Sequence, residues 1–124
     1  MKNAWKITGW YVFILGIIHV LSGIFMLQEG LREILSIGLF SGAVVSMAAS
    51  AAFWFEFFGL FFIYFGWQWK EQINRYNQPL SKFSAWGMTV LTLVGFIIVP
   101  VSGFILMIPL CIIMLYPHLF VKNK

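Results

Sequence analysis

From Ala51 to Trp69 the chain reads AAFWFEFFGLFFIYFGWQW, an apolar run with a single charged residue, Glu56, inside it. A membrane crossing takes roughly 20 mostly apolar residues at about 1.5 Å each, which this stretch supplies. An ionisable group at that depth is costly, so it is expected to face protein or trapped water rather than lipid. The aromatic residues around it (Phe53, Trp54, Phe55, Phe57, Phe58, Phe61, Phe62, Tyr64, Phe65) surround the whole helix, so part of that surface must meet lipid or another subunit.

Composition extends this to the whole chain. Of 124 residues 61% are hydrophobic and 10% charged, and the mean hydropathy is +0.92, outside the soluble globular range. The expected fold is an all-α integral membrane four-helix bundle, a single transmembrane domain over residues 1–124 with spans near 5–27, 51–69, 83–99 and 104–120. The net charge of +4 does not indicate nucleic acid, because the basic residues are few and scattered. The lone Cys111 excludes an intrachain disulfide and a multi-cysteine cluster. The basic and apolar N-terminus mimics a signal peptide but reaches Leu27 with no A-x-A site, so it reads as an uncleaved first span.

Small residues mark the packing faces. Gly9, Gly16 and Gly23 repeat every seven residues along the first span, and Gly30 continues the series. Such a stripe lets a neighbouring backbone approach closely. His19 falls between Gly16 and Gly23 on the same face. In the second span Ala52, Gly59 and Gly66 repeat the device, with Glu56 between the first two. Between these spans, Gln28 to Ser50 begins polar and turns apolar. No polar connection separates it from the run at Ala51, so a short interfacial or re-entrant helix near Leu31–Phe40 is expected rather than a fifth span. The stretch KEQINRYNQPLSK, residues 70–82, reads as the long polar connection, with Pro79 at its turn. The final apolar run, Phe83–Phe120, is broken at Pro100-Val101-Ser102-Gly103 into a helical hairpin, with Pro109 kinking the second arm.

With four spans, Lys2, Lys6, Lys70, Arg75, Lys82, Lys122 and Lys124 share one side and Arg32 alone lies on the other. That asymmetry places both termini in the cytoplasm. Trp5, Trp10, Trp67, Trp69 and Trp86 form the matching interfacial belt, and Trp54 lies near the outer face.

AAFWF at 51–55 followed by Gly59, Pro79-Leu80 before Trp86-Gly87, and PVSGF at 100–104 followed by Pro109 resemble an uncharacterised family of small bacterial four-helix membrane proteins. The likeness spans most of the chain. It implies four spans in a bacterial inner membrane and brings no established activity.

In this topology His19 sits roughly 12 Å below the outer end of its helix and Glu56 roughly 8 Å. Polar neighbours include Ser22 and Gln28 on the first span and Ser102 at the hairpin. A buried carboxylate beside an imidazole can exchange one proton near neutral pH, so the set Glu56, His19, Ser22, Gln28 and Ser102 is the expected proton- or ligand-binding site. The bland reading makes Glu56 and His19 an internal hydrogen-bonded pair that fixes helix register. Cys111 lies at a similar depth, but no ligand spacing joins it to them, and neither a metal nor a cofactor is expected. His118 is too far from His19 along the membrane normal for the two to hold one haem. No catalytic constellation appears: there is no Ser–His–Asp set, phosphate loop or H-E-x-x-H. The leading expectation is a protein that binds or transports a small lipophilic or cationic ligand, as a homo-oligomer in the bilayer. An accessory subunit docking a larger membrane protein is the second, and an enzyme acting on a lipid or quinone the third.

Overall fold

The computed structural model describes residues 3–42, 45–99 and 103–120, and the regular structure among them is entirely helical. Helix α1 is Thr8–Met26, entered through a 3-10 turn at Ala4–Ile7. It is followed by α2 (Gln28–Ile37), α3 (Leu39–Gly42), α4 (Met47–Tyr76), α5 (Lys82–Ile98) and α6 (Met107–Phe120), the last entered through a 3-10 turn at Gly103–Leu106. Three segments, Ala4–Met26, Met47–Tyr76 and Gly103–Phe120, are long and apolar enough to cross a membrane, and α5 is a shorter apolar helix of 17 residues. The chain divides into two compact units, Val12–Gly66 and Met1–Tyr11 with Trp67–Lys124.

In the unit Val12–Gly66 the glycine stripes act as expected. A side chain on Gly16 would come within 2.6 Å of the Ile63 nitrogen, and one on Gly59 within 2.7 Å of Val20. The partners descend along α4 as α1 ascends, so the two helices run antiparallel, nearly backbone to backbone. Helix α2 packs on the start of α4: Gly30 abuts the Ala48 backbone, and Ile34 is buried with Ala49 and Ala52. Its other face carries Gln28, Glu29, Arg32, Glu33 and Ser36.

Two boundaries differ from expectation. The connecting helix is Gln28–Ile37, not Leu31–Phe40. Leu27 leaves the helical path (φ −116°, ψ 32°), which lets a new helix start at once, and Gly38 at φ 102° ends it in a conformation that favours glycine. The second long helix is Met47–Tyr76 rather than Ala51–Trp69. At its start, Ser46 Oγ accepts the Ala49 N–H at 3.0 Å and donates to the Glu33 carboxylate, a side-chain cap. At its end, Lys70, Glu71, Gln72 and Arg75 are good helix formers, and Ile73 is buried, so the helix runs through what reads as a polar connection. Asn77, at φ 47°, closes it by donating its N–H to the Ile73 carbonyl at 2.8 Å. The true connection is only 77–81, and Ser81 caps α5 by accepting the Ser84 N–H.

In the unit Met1–Tyr11 with Trp67–Lys124, α5 packs on α6, and the turn Ala4–Ile7 also lies against α6. Cys111 Sγ, buried, donates to Thr92 Oγ1 at 3.4 Å. The Phe104 ring covers Gly95, leaving no room for a side chain there. His118 Nε2 lies 2.8 Å from the Leu80 carbonyl, and Tyr11 donates its hydroxyl to the Leu106 carbonyl at 2.8 Å. Pro109 falls in the first turn of α6, where a missing N–H costs nothing, rather than midway along the arm. Pro100, Val101 and Ser102, the expected hairpin break, lie outside the described residues.

Candidate functional site

Helix α4 places Glu56 one heptad from Ile63, on the face that meets α1. Where Ile63 meets Gly16, Glu56 meets Gly23: the carboxylate occupies the volume that any side chain at position 23 would need. The glycine is what admits a polar group to this seam. Glu56 Oε1 is buried and has no hydrogen-bond partner. An orphaned buried acceptor costs about 1–3 kcal/mol, so this oxygen is a local liability rather than a staple.

His19 lies close by but does not pair with it. The imidazole stacks on the Phe55 ring, centroids 3.9 Å apart and planes 11° from parallel, and meets the Phe62 ring edge-on at 5.8 Å. It also lies against the Phe55 backbone. Among the described residues no hydrogen bond or ion pair joins His19 to Glu56. The sequence reading brought them to one seam. The structure inserts Phe55, the residue before Glu56, as the imidazole's partner.

The other residues of the expected set are more scattered. Ser22 is half-buried on α1 and Gln28 is exposed at the start of α2, and neither supplies a bond to Glu56 Oε1. Ser102 lies outside the described residues. Cys111 belongs to the other unit, and among the described residues no three His, Cys, Asp or Glu side chains are grouped to hold a metal.

Two polar arrangements escaped the sequence reading. The Glu33–Ser46–Ala49 chain ties α2 to α4; a serine three residues before Ala49 at a helix start was its only signal. The second is Lys70, whose ammonium lies 3.7 Å from the Trp67 ring centroid and 4.8 Å from that of Trp10, with Glu71 Oε1 at 3.7 Å. Gly9 makes room for the Lys70 backbone, just as Gly23 does for Glu56. Such a cation between aromatic faces suits the end of an apolar helix, where the stem packs and the charge reaches outward.

This fold and seam define an all-α protein with helices able to cross a membrane and one carboxylate set among them. The chain belongs to a family of unknown function, DUF6463, whose profile matches residues 3–120. No curated protein and no solved structure matches it.

Proposed function

We propose that this chain is an integral protein of a bacterial inner membrane, with four membrane helices and both ends cytoplasmic, that binds a small lipophilic or cationic ligand through Glu56. The apolar helices support the membrane reading. The distribution of basic residues along the sequence supports the orientation, since a four-span topology leaves Arg32 alone on one side and the other seven on the opposite side. The observation that carries the functional reading is the buried, unpartnered Glu56 Oε1 on the glycine seam. An acceptor of that kind is destabilising unless something completes it, and a cation or a proton does so. Phe55 and Phe62, packed on His19, make this part of the seam aromatic and apolar, which suits a lipophilic ligand.

The test is titration of the detergent-purified protein with tetraphenylphosphonium. Wild type should bind and Glu56→Gln should not, with the variant still folded by circular dichroism. Equal binding by both would reject the reading.

A second reading is an accessory subunit. It is favoured by the exposed aromatic residues Trp54, Phe57, Phe58, Phe61 and Tyr64 on α4, an apolar surface that a partner helix could cover. Co-purification of a larger membrane protein in mild detergent would support it, and a clean homo-oligomer would count against it.

A further inference from the structure

Charge is divided unevenly along the chain. All the basic residues but Arg32 fall in the stretches 1–11 and 67–124, where Glu71 is the only carboxylate side chain. Residues 12–66 set Arg32 against Glu29, Glu33 and Glu56. Resting on the membrane reading above, we infer that Lys70, held between Trp10 and Trp67 in the basic unit, binds the phosphate of an anionic phospholipid.

Position supports this first. Lys70 follows directly on the apolar run Ala51–Trp69, where a membrane helix meets the headgroups, and tryptophan is a residue that collects at that level. Gly9, the neighbour of Trp10, abuts the Lys70 backbone. Trp67 stands one turn before Lys70 on the same face of α4. Backbone contact and helix register together set the ammonium 3.7 Å from the Trp67 ring centroid and 4.8 Å from that of Trp10. Lys6, in the turn before Gly9, brings a second, exposed ammonium over the Trp5 ring at 5.5 Å.

The donors support it second. The Lys70 side chain is only 17% exposed, so it does not reach freely into water. An indole face attracts the charge but does not replace an oxygen acceptor for its three N–H groups. Among the described residues its one ion pair is with Glu71 Oε1 at 3.7 Å, beyond hydrogen-bond reach, and the Glu71 side chain is 53% exposed, so water screens it. The ammonium is therefore held in place with its donors unmet on the side that the rings leave open. A phosphate oxygen meets such donors with charge-assisted hydrogen bonds. At headgroup level that oxygen belongs to a phosphodiester, and an anionic headgroup avoids the extra cation that choline would bring beside Lys70.

Native mass spectrometry of the full chain in a neutral detergent tests this, with phosphatidylglycerol, phosphatidylcholine and inorganic phosphate as probes. Wild type should retain phosphatidylglycerol at least about tenfold more strongly than phosphatidylcholine. Lys70→Gln should lose that preference and Lys70→Arg should keep it. A lysine that only clamps the two helices would lower the melting temperature of Lys70→Gln without changing the ratio between the lipids. Glu71→Gln removes the competing carboxylate at an exposed position and should strengthen retention about two- to threefold, which gives a reading even where Lys70→Gln fails to fold. Equal retention of the two lipids by wild type, or an unchanged preference in Lys70→Gln, would overturn the site and leave the membrane reading intact. Displacement of the lipid by an equal concentration of inorganic phosphate would overturn the assignment to a phospholipid. Recovery of the chain in the soluble fraction of cells would overturn the membrane reading, and this site with it.

Discussion

The carboxylate of Glu56 sits where a side chain on Gly23 would have to be. Acid and glycine come from antiparallel helices and fit only as a pair, and Oε1 is left buried without a partner. Gly23→Ala should therefore expel the carboxylate or part the helices, costing about 1–3 kcal/mol as overpacking does. Gly16→Ala, whose methyl would meet the Ile63 backbone at 2.6 Å, should cost at least as much. Gly87→Ala, with nothing within 4 Å, should be neutral or stabilise by about 0.5–1 kcal/mol. Thermal melts of the three variants in one detergent give the ranking.

Replacing Glu56 with Met removes an orphaned acceptor and keeps the volume. The variant should be more stable than wild type by about 1–3 kcal/mol. A lower melting temperature would mean that the carboxylate is a structural staple after all.

His19 contributes through its ring. His19→Phe retains the stack on Phe55 and should melt close to wild type, whereas His19→Ala should lose about 1–2 kcal/mol of aromatic packing. Equal losses in the two variants would show that the ring nitrogens, not the ring face, hold the residue in place.

Ser46→Ala removes the acceptor for the Ala49 N–H and the donor to Glu33, and should cost about 1 kcal/mol. Ser46→Asp keeps a capping oxygen but sets it against the Glu33 carboxylate, and should be no better than alanine. Chemical denaturation of the two variants compares them directly.

The packing faces were legible in the sequence because spacing by seven is a property of one helix. Gly16, Gly23, Ala52 and Gly59 could be put on contact faces before any partner was known. What they touch depends on the register between two helices, which no single helix carries. Thus Glu56 and His19 were brought to one seam, but the opposition of Glu56 to Gly23 and the insertion of Phe55 beside His19 were not foreseen. Helix ends failed for a different reason. Lys70 to Tyr76 looks like a loop by polarity, yet helix propensity and the burial of Ile73 carry α4 through it. The uncharacterised family, by contrast, was legible from short strings spread along the chain, and the match over residues 3–120 agrees.

Calorimetric titration of purified protein with tetraphenylphosphonium across pH addresses the role of Glu56 most directly. A carboxylate that takes a cation must first release its proton, so binding by wild type should strengthen as pH rises, with proton release on binding, and Glu56→Gln should bind at no pH. Binding that is independent of pH and unchanged in Glu56→Gln would contradict a ligand role for this residue.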